Sequence, residues 1–315
     1  MQTVLASDVK YGGFISFTDH LARGLGNRCV VRLSSVASSA RACGSMPARF
    51  FPPEKLPRGC VVTALDWKAR GEQFCMAAAL GAVSAVVFHD PNDGGHEVIR
   101  TASSLGVNII LIRKSQLRRA EQITGGRHAM IVHPYTREFT DEATVERSAR
   151  KLAASVSRVD FDKHTEIIVN ADCGIDIFGS VNRMYAHHKL PEWWERSYRG
   201  IHNGGARTLL SYRYSVDMSL IKGDGGGTQY TTLEAWDSGA IPVLHRGWIM
   251  PGDEMVEGEN CLCVGCPSEL KELLGAAERG EIDEAKLVAR GRECLRDHDA
   301  VAVGESLKKI CAVGR

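Results

Sequence analysis

Short runs of apolar residues alternate with longer amphipathic stretches along the first half of the chain. We interpret the apolar runs as buried strands; they are TVLAS, CVVRLSS, CVVTALD, AVVFHD and NIILIR. The stretches between them place their apolar residues at helical spacing; examples are FTDHLARGLG, KARGEQFCMAAALG, EVIRTASSLG and SQLRRAEQIT. Strands that alternate with helices predict βαβ units and a parallel sheet covered by helices on both faces.

The alternation stops at HPYTREFTDEAT, a polar, turn-rich segment that we interpret as a linker. It then resumes with KLAASVSRV, HTEIIVNA, IDIFGS, TLLSY, SVDMSLI, TTLEAWDSG, IPVLH and NCLCV, followed by a charged helical tail. We therefore predict an α/β protein with two doubly wound, Rossmann-like domains facing a cleft, over residues 1–150 and 151–315. The pattern leaves open whether the last helix returns to the N-terminal domain. In open α/β sheets a ligand binds at the carboxyl ends of the strands.

The composition agrees with a globular protein of this size. The chain has 315 residues, of which 44% are hydrophobic and 24% charged, with a formal net charge of +1. This balance excludes a global electrostatic field that would attract nucleic acid or a membrane surface. No run approaches the roughly 18 apolar residues of a membrane span, and MQTVLASDVKYGG lacks the basic and apolar regions of a secretion signal. Together with ten dispersed cysteines, these features lead us to expect a cytoplasmic location.

Three cysteines lie close together, at Cys261, Cys263 and Cys266. Such a cluster could hold a metal or a redox centre, but no second pair of cysteines or histidines lies nearby. We therefore interpret NCLCV as a strand followed by a loop, and expect no metal site.

The stretch GDGGGTQYTTLEAWDSG carries the strongest chemical signal. Glycines permit backbone angles that are closed to other residues, and Thr228 is a candidate N-cap for the helix that follows and ends at Gly239. A helix start behind a glycine loop is a ready anion site, with phosphate its usual ligand. The candidate phosphate-binding residues are Gly226, Gly227, Thr228, Gln229 and Tyr230. The alternative is a tight glycine turn that binds nothing.

Glu234 favours the anion site over a glycine turn that binds nothing. It lies in the same helix between Leu233 and Ala235, and a carboxylate in apolar surroundings requires hydrogen-bond partners. A ribose diol would supply two donors, as in dinucleotide sites. Phosphates at the helix start and a ribose beside Glu234 together suggest a nucleotide diphosphate.

These residues resemble the C-terminal half of retaining glycosyltransferases of the GT-B fold, most closely glycosyltransferase family 4. Glu234-Ala235, Gly239 and Pro242-Val243 match the second half of the family signature. The first glutamate of that signature would fall at Gly226, so the contact that it makes with the donor sugar is missing here. Arg158 and Lys163 match the spacing of an arginine and a lysine that open the family's C-terminal domain.

The resemblance implies roles for these residues and for several in the N-terminal half. Arg158 and Lys163 would clamp the donor pyrophosphate, and with Glu234 and His89 they form the expected catalytic set. Gly12 and Gly13 would approach the donor phosphate and the acceptor, and His89 would contact the donor sugar; Asp66 is a candidate on the acceptor side. The co-substrate implied is a nucleotide-diphosphate sugar, most often a UDP-sugar, with transfer by retention and no further cofactor. The triplet Asp160-Phe161-Asp162 is interpreted as structural rather than as a metal motif.

The acceptor is the open question. A run of basic and aromatic residues suits DNA, through phosphate contacts and base stacking; it comprises Arg183, Tyr185, His187, His188, Lys189, Trp193, Trp194, Arg196, Tyr198 and Arg199. A second basic cluster comprises Arg113, Lys114, Arg118, Arg119, Arg127 and His128. The glycine-rich variant of the signature looks similar to viral and phage glycosyltransferases, some of which modify hydroxymethylated pyrimidines in DNA.

Several alternatives remain. The acceptor could be a glycan, a lipid or a small molecule, and the aromatics could be core residues beside a solvated basic face. The fold would also suit a nucleotide-sugar epimerase or a non-catalytic nucleotide-sugar-binding module.

Overall fold

The computed structural model describes residues 4–6, 12–33, 42–43, 46–64, 67–89, 95–125, 128–139, 149–202, 204–220 and 226–313. Contacts within the chain define two compact units. Unit 1 combines Met1–Thr136 with Asp297–Arg315, and unit 2 is Arg137–Arg296. Each unit is built on a largely parallel sheet with helices, which confirms the predicted α/β fold class.

The strands are β1 (Val4–Ala6), β2 (Val30–Leu33), β3 (Ala42–Cys43), β4 (Met46–Phe51), β5 (Cys60–Ala64), β6 (Val83–Phe88), β7 (Asn108–Leu111), β8 (His128–Met130), β9 (Lys151–Val156), β10 (Asp176–Phe178), β11 (Tyr198–Gly200), β12 (Tyr212–Asp217), β13 (Ile241–His245) and β14 (Leu262–Val264).

The helices are α1 (Gly12–Gly24), α2 (Trp67–Ala79), α3 (Gly95–Ser104), α4 (Leu117–Thr124), α5 (Thr165–Ala171), α6 (Arg183–Lys189), α7 (Gly205–Leu209), α8 (Tyr230–Ser238), α9 (Pro267–Glu278), α10 (Glu284–Asp297) and α11 (Ala300–Val313). None of these described helices has the length and apolar character needed to cross a bilayer.

Unit 1 is organised around an eight-stranded sheet with the order β3-β4-β2-β1-β5-β6-β7-β8. Its pairs are parallel except β3 with β4. Strands β5, β6 and β7 are largely buried because they consist mainly of β-branched and other apolar residues. Helix α11, from the C-terminal end of the chain, packs on α1 in this unit. Gly24 is required there, since a Cβ at this position would lie 1.9 Å from the carbonyl oxygen of Ala300.

Unit 2 is organised around a six-stranded parallel sheet with the order β11-β10-β9-β12-β13-β14. Its main core packs Ile177, Tyr214 and Val243 of the sheet against apolar residues of helices such as α5 and α9. Because every strand runs in the same direction, the carboxyl ends of β9, β12 and β13 meet at one edge. The loops that leave this edge carry the C-terminal candidate residues.

Some elements carry no clear signal in the sequence. Strand β4, MPARFF, has a proline at its second position and contains an arginine, yet it pairs in register with β2. Strand β11, YRG, is too short to show alternation and pairs only at the edge, with β10. Both are fixed by a neighbouring strand that is distant in sequence, so local periodicity does not reveal them.

Candidate functional site

The candidate site in unit 2 lies where β9 and β12 end. Strand β12 closes with Asp217, and a 3₁₀ turn, Phe161–Lys163, follows β9. The backbone N–H of Leu220 donates to the carbonyl oxygen of Asp162 at 3.0 Å, which attaches this turn to the segment after β12. This contact places the Lys163 side chain beside the end of β12.

The Lys163 ammonium is surrounded by acceptors from two other elements. Nζ lies 2.5 Å from Ser219 Oγ, 3.2 Å from Gln229 Oε1 and 3.5 Å from Asp217 Oδ2. The side chain of Lys163 is 12% exposed and that of Asp217 4%. Lys163 is therefore a largely buried cation with a buried counter-ion, rather than a solvated surface lysine.

Asp217 connects the strand end, Lys163 and helix α8. Its Oδ1 accepts from the backbone N–H and the hydroxyl of Ser219, and its Oδ2 accepts from Thr231 Oγ1 at 2.7 Å. Burial alone would raise the pKa of Asp217, but the charge of Lys163 and these hydrogen bonds outweigh it and hold the pKa below its ordinary value. Asp217 is thus ionised at neutral pH.

The glycine loop before α8 has the conformation that its sequence predicts. Gly226 and Gly227 have φ angles of +84° and +86°, in the left-handed region that favours glycine. Trp248 Nε1 donates to the carbonyl oxygen of Gly227 at 3.0 Å. Helix α8 begins at Tyr230 and ends at Gly239, whose φ is +72°, as expected for a C-terminal glycine.

The predicted N-cap at Thr228 is wrong. The residue in the cap position is Gln229, and its side chain makes no capping hydrogen bond because it is directed to Lys163 instead. Thr228 is buried, and its hydroxyl has no hydrogen-bond partner among the described residues. Tyr230, the first residue of α8, is also buried.

The space beside Gly226 is already occupied by other side chains. A Cβ at Gly226 would lie 2.5 Å from Asp253 Oδ2 and 2.9 Å from Met250 Cγ. Asp253 Oδ2 is held there by the backbone N–H groups of Gly227 and Met250, each at 3.1 Å. The segment after β13 therefore fills the volume that a side chain at position 226 would need, and brings a carboxylate with it.

Glu234 lies on α8 and faces the start of α7. Its carboxyl group lies against Gly205, where a Cβ would come within 1.9 Å of Oε2. The side chain is partly exposed, and its carboxylate makes no hydrogen bond or ion pair with any described residue. Burial, with the negative charges of Glu138 and Asp237, raises the pKa of Glu234 to about 8. The hydrogen-bond partners that the sequence predicts for it are thus not supplied by the described protein groups.

Arg158 is paired within its own loop. Nη1 donates to Asp160 Oδ2 and Nη2 to Asp162 Oδ2, both at 2.8 Å, and the side chain is 42% exposed. Asp160 also accepts from the backbone N–H of Phe161 and from Asn182 Nδ2. Both aspartates of the triplet therefore hold the loop that carries Arg158 and Lys163.

The N-terminal candidates belong to unit 1. Gly12 and Gly13 begin α1, and a Cβ on Gly13 would meet no atom within 4 Å. His89 follows β6, with the rings of Phe14 and Phe17 at centroid distances of 4.5 and 4.7 Å. Its Nε2 is hydrogen-bonded to the carbonyl oxygen of Thr63 and so carries the proton. Asp66 lies outside the described residues.

The environment of His89 defines its charge. Burial, helped by the positive charge of Arg113, lowers the pKa of His89 to about 3 although the bond to Thr63 opposes this. The imidazole is therefore neutral at physiological pH and offers Nδ1 as an acceptor. Without the imidazolium form, His89 is not a general acid in that range.

The aromatic residues of the basic run are mostly core residues. Tyr185 and Trp194 are 1% and 8% exposed, and Trp193 and Tyr198 pack against the same core. Tyr185 and Trp194 are thus inaccessible to a nucleobase. Four basic residues of α6 are exposed, and they are Arg183, His187, His188 and Lys189.

The cysteine cluster forms part of a strand, as interpreted from the sequence. Cys263 lies within β14, and Cys261 and Cys263 are both buried. Across the described residues, no group of three or more His, Cys, Asp or Glu side chains is arranged to hold a metal ion.

Comparison with known proteins identifies the fold. No protein-family model matches the chain, and neither does any curated protein. Solved structures do match: HepE of Anabaena, in complex with UDP, has a TM-score of 0.72 at 12% identity, over 99% of this chain and 100% of HepE. A glycosyltransferase from Rickettsia africae has a TM-score of 0.72 at 8% identity, over 99% of this chain and 98% of that protein. The chain shares the fold of GT-B glycosyltransferases.

Other matching glycosyltransferases are considerably longer. TarM has a TM-score of 0.61 at 14% identity over 81% of this chain, which spans only 55% of TarM. This chain spans 58% of the pneumococcal O-GlcNAc transferase GtfA, with a TM-score of 0.60 at 16% identity over 83% of this chain. At these identities the likeness establishes the fold alone.

Sequence analysis did not identify four residues of the site in unit 2, and they are Asp217, Ser219, Thr231 and Asp253. Asp217 carried a usable signal, since an acidic residue closing an apolar strand lies at the ligand edge of a parallel sheet. Asp253 carried none, because only the folded segment after β13 brings it against the glycine loop.

Proposed function

We propose that the chain is a glycosyltransferase that transfers a sugar from a nucleotide-diphosphate sugar, with a UDP-sugar as the favoured donor, to an acceptor hydroxyl. The observation that carries this proposal is a largely buried lysine, Lys163, beside the start of α8, together with a carboxylate further along α8, Glu234, that has no partner among the described residues. HepE, which shares the fold over its full length, is known in complexes with UDP and with UDP-glucose. That likeness supports a UDP-sugar as the donor.

The donor diphosphate would bind between Lys163 and the start of α8. A helix N-terminus presents unpaired N–H groups and a partial positive charge, and Lys163 adds a full charge. Arg158 would join them by exchanging Asp160 or Asp162 for a phosphate oxygen, which a guanidinium fork binds with similar geometry. These groups would stabilise the charge that develops on the diphosphate as the bond to the anomeric carbon breaks.

Glu234 would bind the ribose of the nucleotide. Its carboxylate has acceptor capacity that no described protein group uses, and ribose hydroxyls would supply the donors. Such hydrogen bonds favour the ionised form, so binding would lower the raised pKa of Glu234.

In unit 1, Gly12 and Gly13 would let the donor approach the start of α1, and His89 would contact the sugar. Because His89 is neutral, we assign it an uncharged role, in which Nδ1 accepts a hydrogen bond from a sugar hydroxyl. The departing phosphate would then take up the acceptor proton. This is the route to retention that the family resemblance suggests.

DNA containing hydroxymethylated pyrimidines stays our candidate acceptor, as in phage-type DNA modification. The exposed basic residues of α6 support it through phosphate contacts. The burial of Tyr185 and Trp194 means that base stacking on this face would depend on Trp193 and Tyr198, which are partly exposed. Glycans, lipids and small molecules are the alternative acceptors.

The donor site is tested by calorimetric titration of UDP into wild-type protein and into Lys163→Met and Glu234→Gln. We expect each substitution to weaken binding at least about tenfold, the scale of one lost hydrogen bond to a charged group. Lys286→Met is the matched control, since Lys286 is exposed on α10 and should leave affinity unchanged. Unchanged affinity in both site variants would show that UDP does not bind here.

The reaction is tested by incubating the protein with a panel of nucleotide sugars and DNA containing hydroxymethylcytosine or hydroxymethyluracil, followed by mass analysis of the nucleosides. A hexose or pentose added to the base would identify the sugar class and the acceptor. If UDP is released but the nucleosides are unmodified, the acceptor would be a glycan, a lipid or a small molecule rather than DNA. If UDP binds but none is formed from the UDP-sugar, the result would favour the epimerase or the binding module. We expect turnover to persist in EDTA, since the proposed charge stabilisation comes from Lys163, Arg158 and the helix start.

A further inference from the structure

The Lys163 ammonium faces three acceptors that the protein itself provides, two of them hydrogen-bonded to it and the third its ion-pair partner. These are Ser219 Oγ at 2.5 Å, Gln229 Oε1 at 3.2 Å and Asp217 Oδ2 at 3.5 Å. An ammonium has three donors and no more. Two of its donors are hydrogen-bonded and Asp217 lies beside the ammonium as its counter-ion, so a phosphate would contact Lys163 by replacing one of these acceptors.

The three acceptors differ in their exposure. Ser219 and Asp217 are 2% and 3% exposed, and they are hydrogen-bonded to each other. Gln229 is partly exposed, stands at the cap position of α8, and makes no other side-chain hydrogen bond with a described residue. Gln229 is therefore the acceptor that an incoming ligand can displace.

We propose that the Gln229 side chain is a resident acceptor, an amide oxygen that occupies the phosphate position at Lys163 until a nucleotide diphosphate displaces it. This inference rests on the proposed donor site and assigns Gln229 a role opposite to that of a ligand contact: it competes with the donor. A phosphate oxygen displaces it because hydrogen bonds from an ammonium to an anion are stronger than those to a neutral amide. Ligands that offer only neutral acceptors gain nothing by the exchange, so Gln229 selects for anionic ligands.

Gln229 is suited to substitution because its side chain does not support the fold. It makes no capping bond to α8, so Gln229→Ala removes only the contact with Lys163. Gln229→Glu keeps the shape of the side chain but turns the contact into an ion pair beside the helix start. Ser219→Ala is the matched control: it removes another acceptor of Lys163, but at a position that a phosphate does not reach.

The experiment is calorimetric titration of UDP into wild type, Gln229→Ala, Gln229→Glu, Ser219→Ala and Lys163→Met, with thermal melts to confirm folding. We expect Gln229→Ala to tighten UDP binding about threefold to tenfold and Gln229→Glu to weaken it more than about tenfold. We expect no tightening for Ser219→Ala.

Weaker binding by Gln229→Ala would overturn the inference, because Gln229 would then be a direct contact of the nucleotide. Unchanged binding would overturn it as well, since no competition would exist. Lys163→Met separates the two proposals: if it leaves UDP binding unchanged, the donor site itself is wrong. If it weakens binding while Gln229→Ala has no effect, only the resident-acceptor role fails.

Discussion

Replacing Glu234 by glutamine should stabilise the fold at alkaline pH while it weakens nucleotide binding. The carboxyl group lies against Gly205, without a hydrogen-bond donor among the described residues, and its pKa is raised to about 8. In the unfolded chain the same group ionises near its ordinary pKa of 4.5. The folded protein therefore holds the proton more tightly than the unfolded chain does.

This difference determines how the unfolding free energy changes with pH. Glu234 stabilises the folded state fully below pH 4.5, and this contribution is lost as the pH rises towards 8. One unit of pKa difference between the folded and unfolded states corresponds to about 1.4 kcal/mol of unfolding free energy. The difference between 4.5 and about 8 therefore limits the lost stability to about 5 kcal/mol. Solvent reaches the partly exposed carboxyl and screens it, so we expect about 2–3 kcal/mol. A neutral glutamine side chain at this position would carry no such penalty.

The assay is urea denaturation of both proteins at several pH values between about 5 and 9. We expect the unfolding free energies to agree near pH 5 and the variant to be about 2–3 kcal/mol more stable at pH 9. Glu272→Gln, on the exposed face of α9, is the control and should show no comparable pH-dependent gain.

The pH dependence of UDP binding gives a second test of the raised pKa of Glu234. If ribose hydroxyls bind the ionised carboxylate, UDP affinity of the wild type should rise with pH up to about 8, by at most about tenfold per pH unit. Calorimetry at pH 7 in two buffers should record the release of about one proton on binding. Glu234→Gln should bind more weakly and show neither effect. A stability gain that is the same at every pH, or a loss at pH 9, would refute the reasoning.

Two further substitutions test the surroundings of the site. Asp217→Asn leaves Lys163 without its buried counter-ion and should lower the unfolding free energy by about 3–5 kcal/mol at pH 7. Because the pKa of Asp217 is lowered in the folded protein, its contribution to stability is lost in acid. The urea unfolding curves of wild type and variant should therefore converge at low pH. Equal stability at pH 7 would contradict the ion pair. Gly226→Ala should cost about 2–3 kcal/mol more than Gly258→Ala in thermal melts, because both glycines have a positive φ but only Gly226 faces Asp253. Equal losses would mean that Asp253 moves away freely.

The alternation of apolar and amphipathic segments determined the fold class, since each unit is built on a largely parallel sheet whose buried strands are rich in apolar residues. The C-terminal candidates also came from local chemistry. Glycines with positive φ, a helix start and a buried-looking glutamate are properties of one short stretch, and the structure has each of them. Strands such as β4 and β11 escaped because their neighbours in the sheet, and not their own residues, hold them extended.

Only the tertiary structure decided how the candidate residues are partnered. The sequence presented Lys163 and Arg158 as two cations at a family spacing, but folding gave Lys163 a buried counter-ion in Asp217 and gave Arg158 two aspartates of its own loop. It also turned Gln229 towards Lys163, filled the space beside Gly226 with Asp253, and buried Tyr185 and Trp194 in the core. Each of these outcomes depends on side chains that meet from separate elements. Local periodicity carries no record of such contacts, because it reports which face of an element is apolar and not what that face meets.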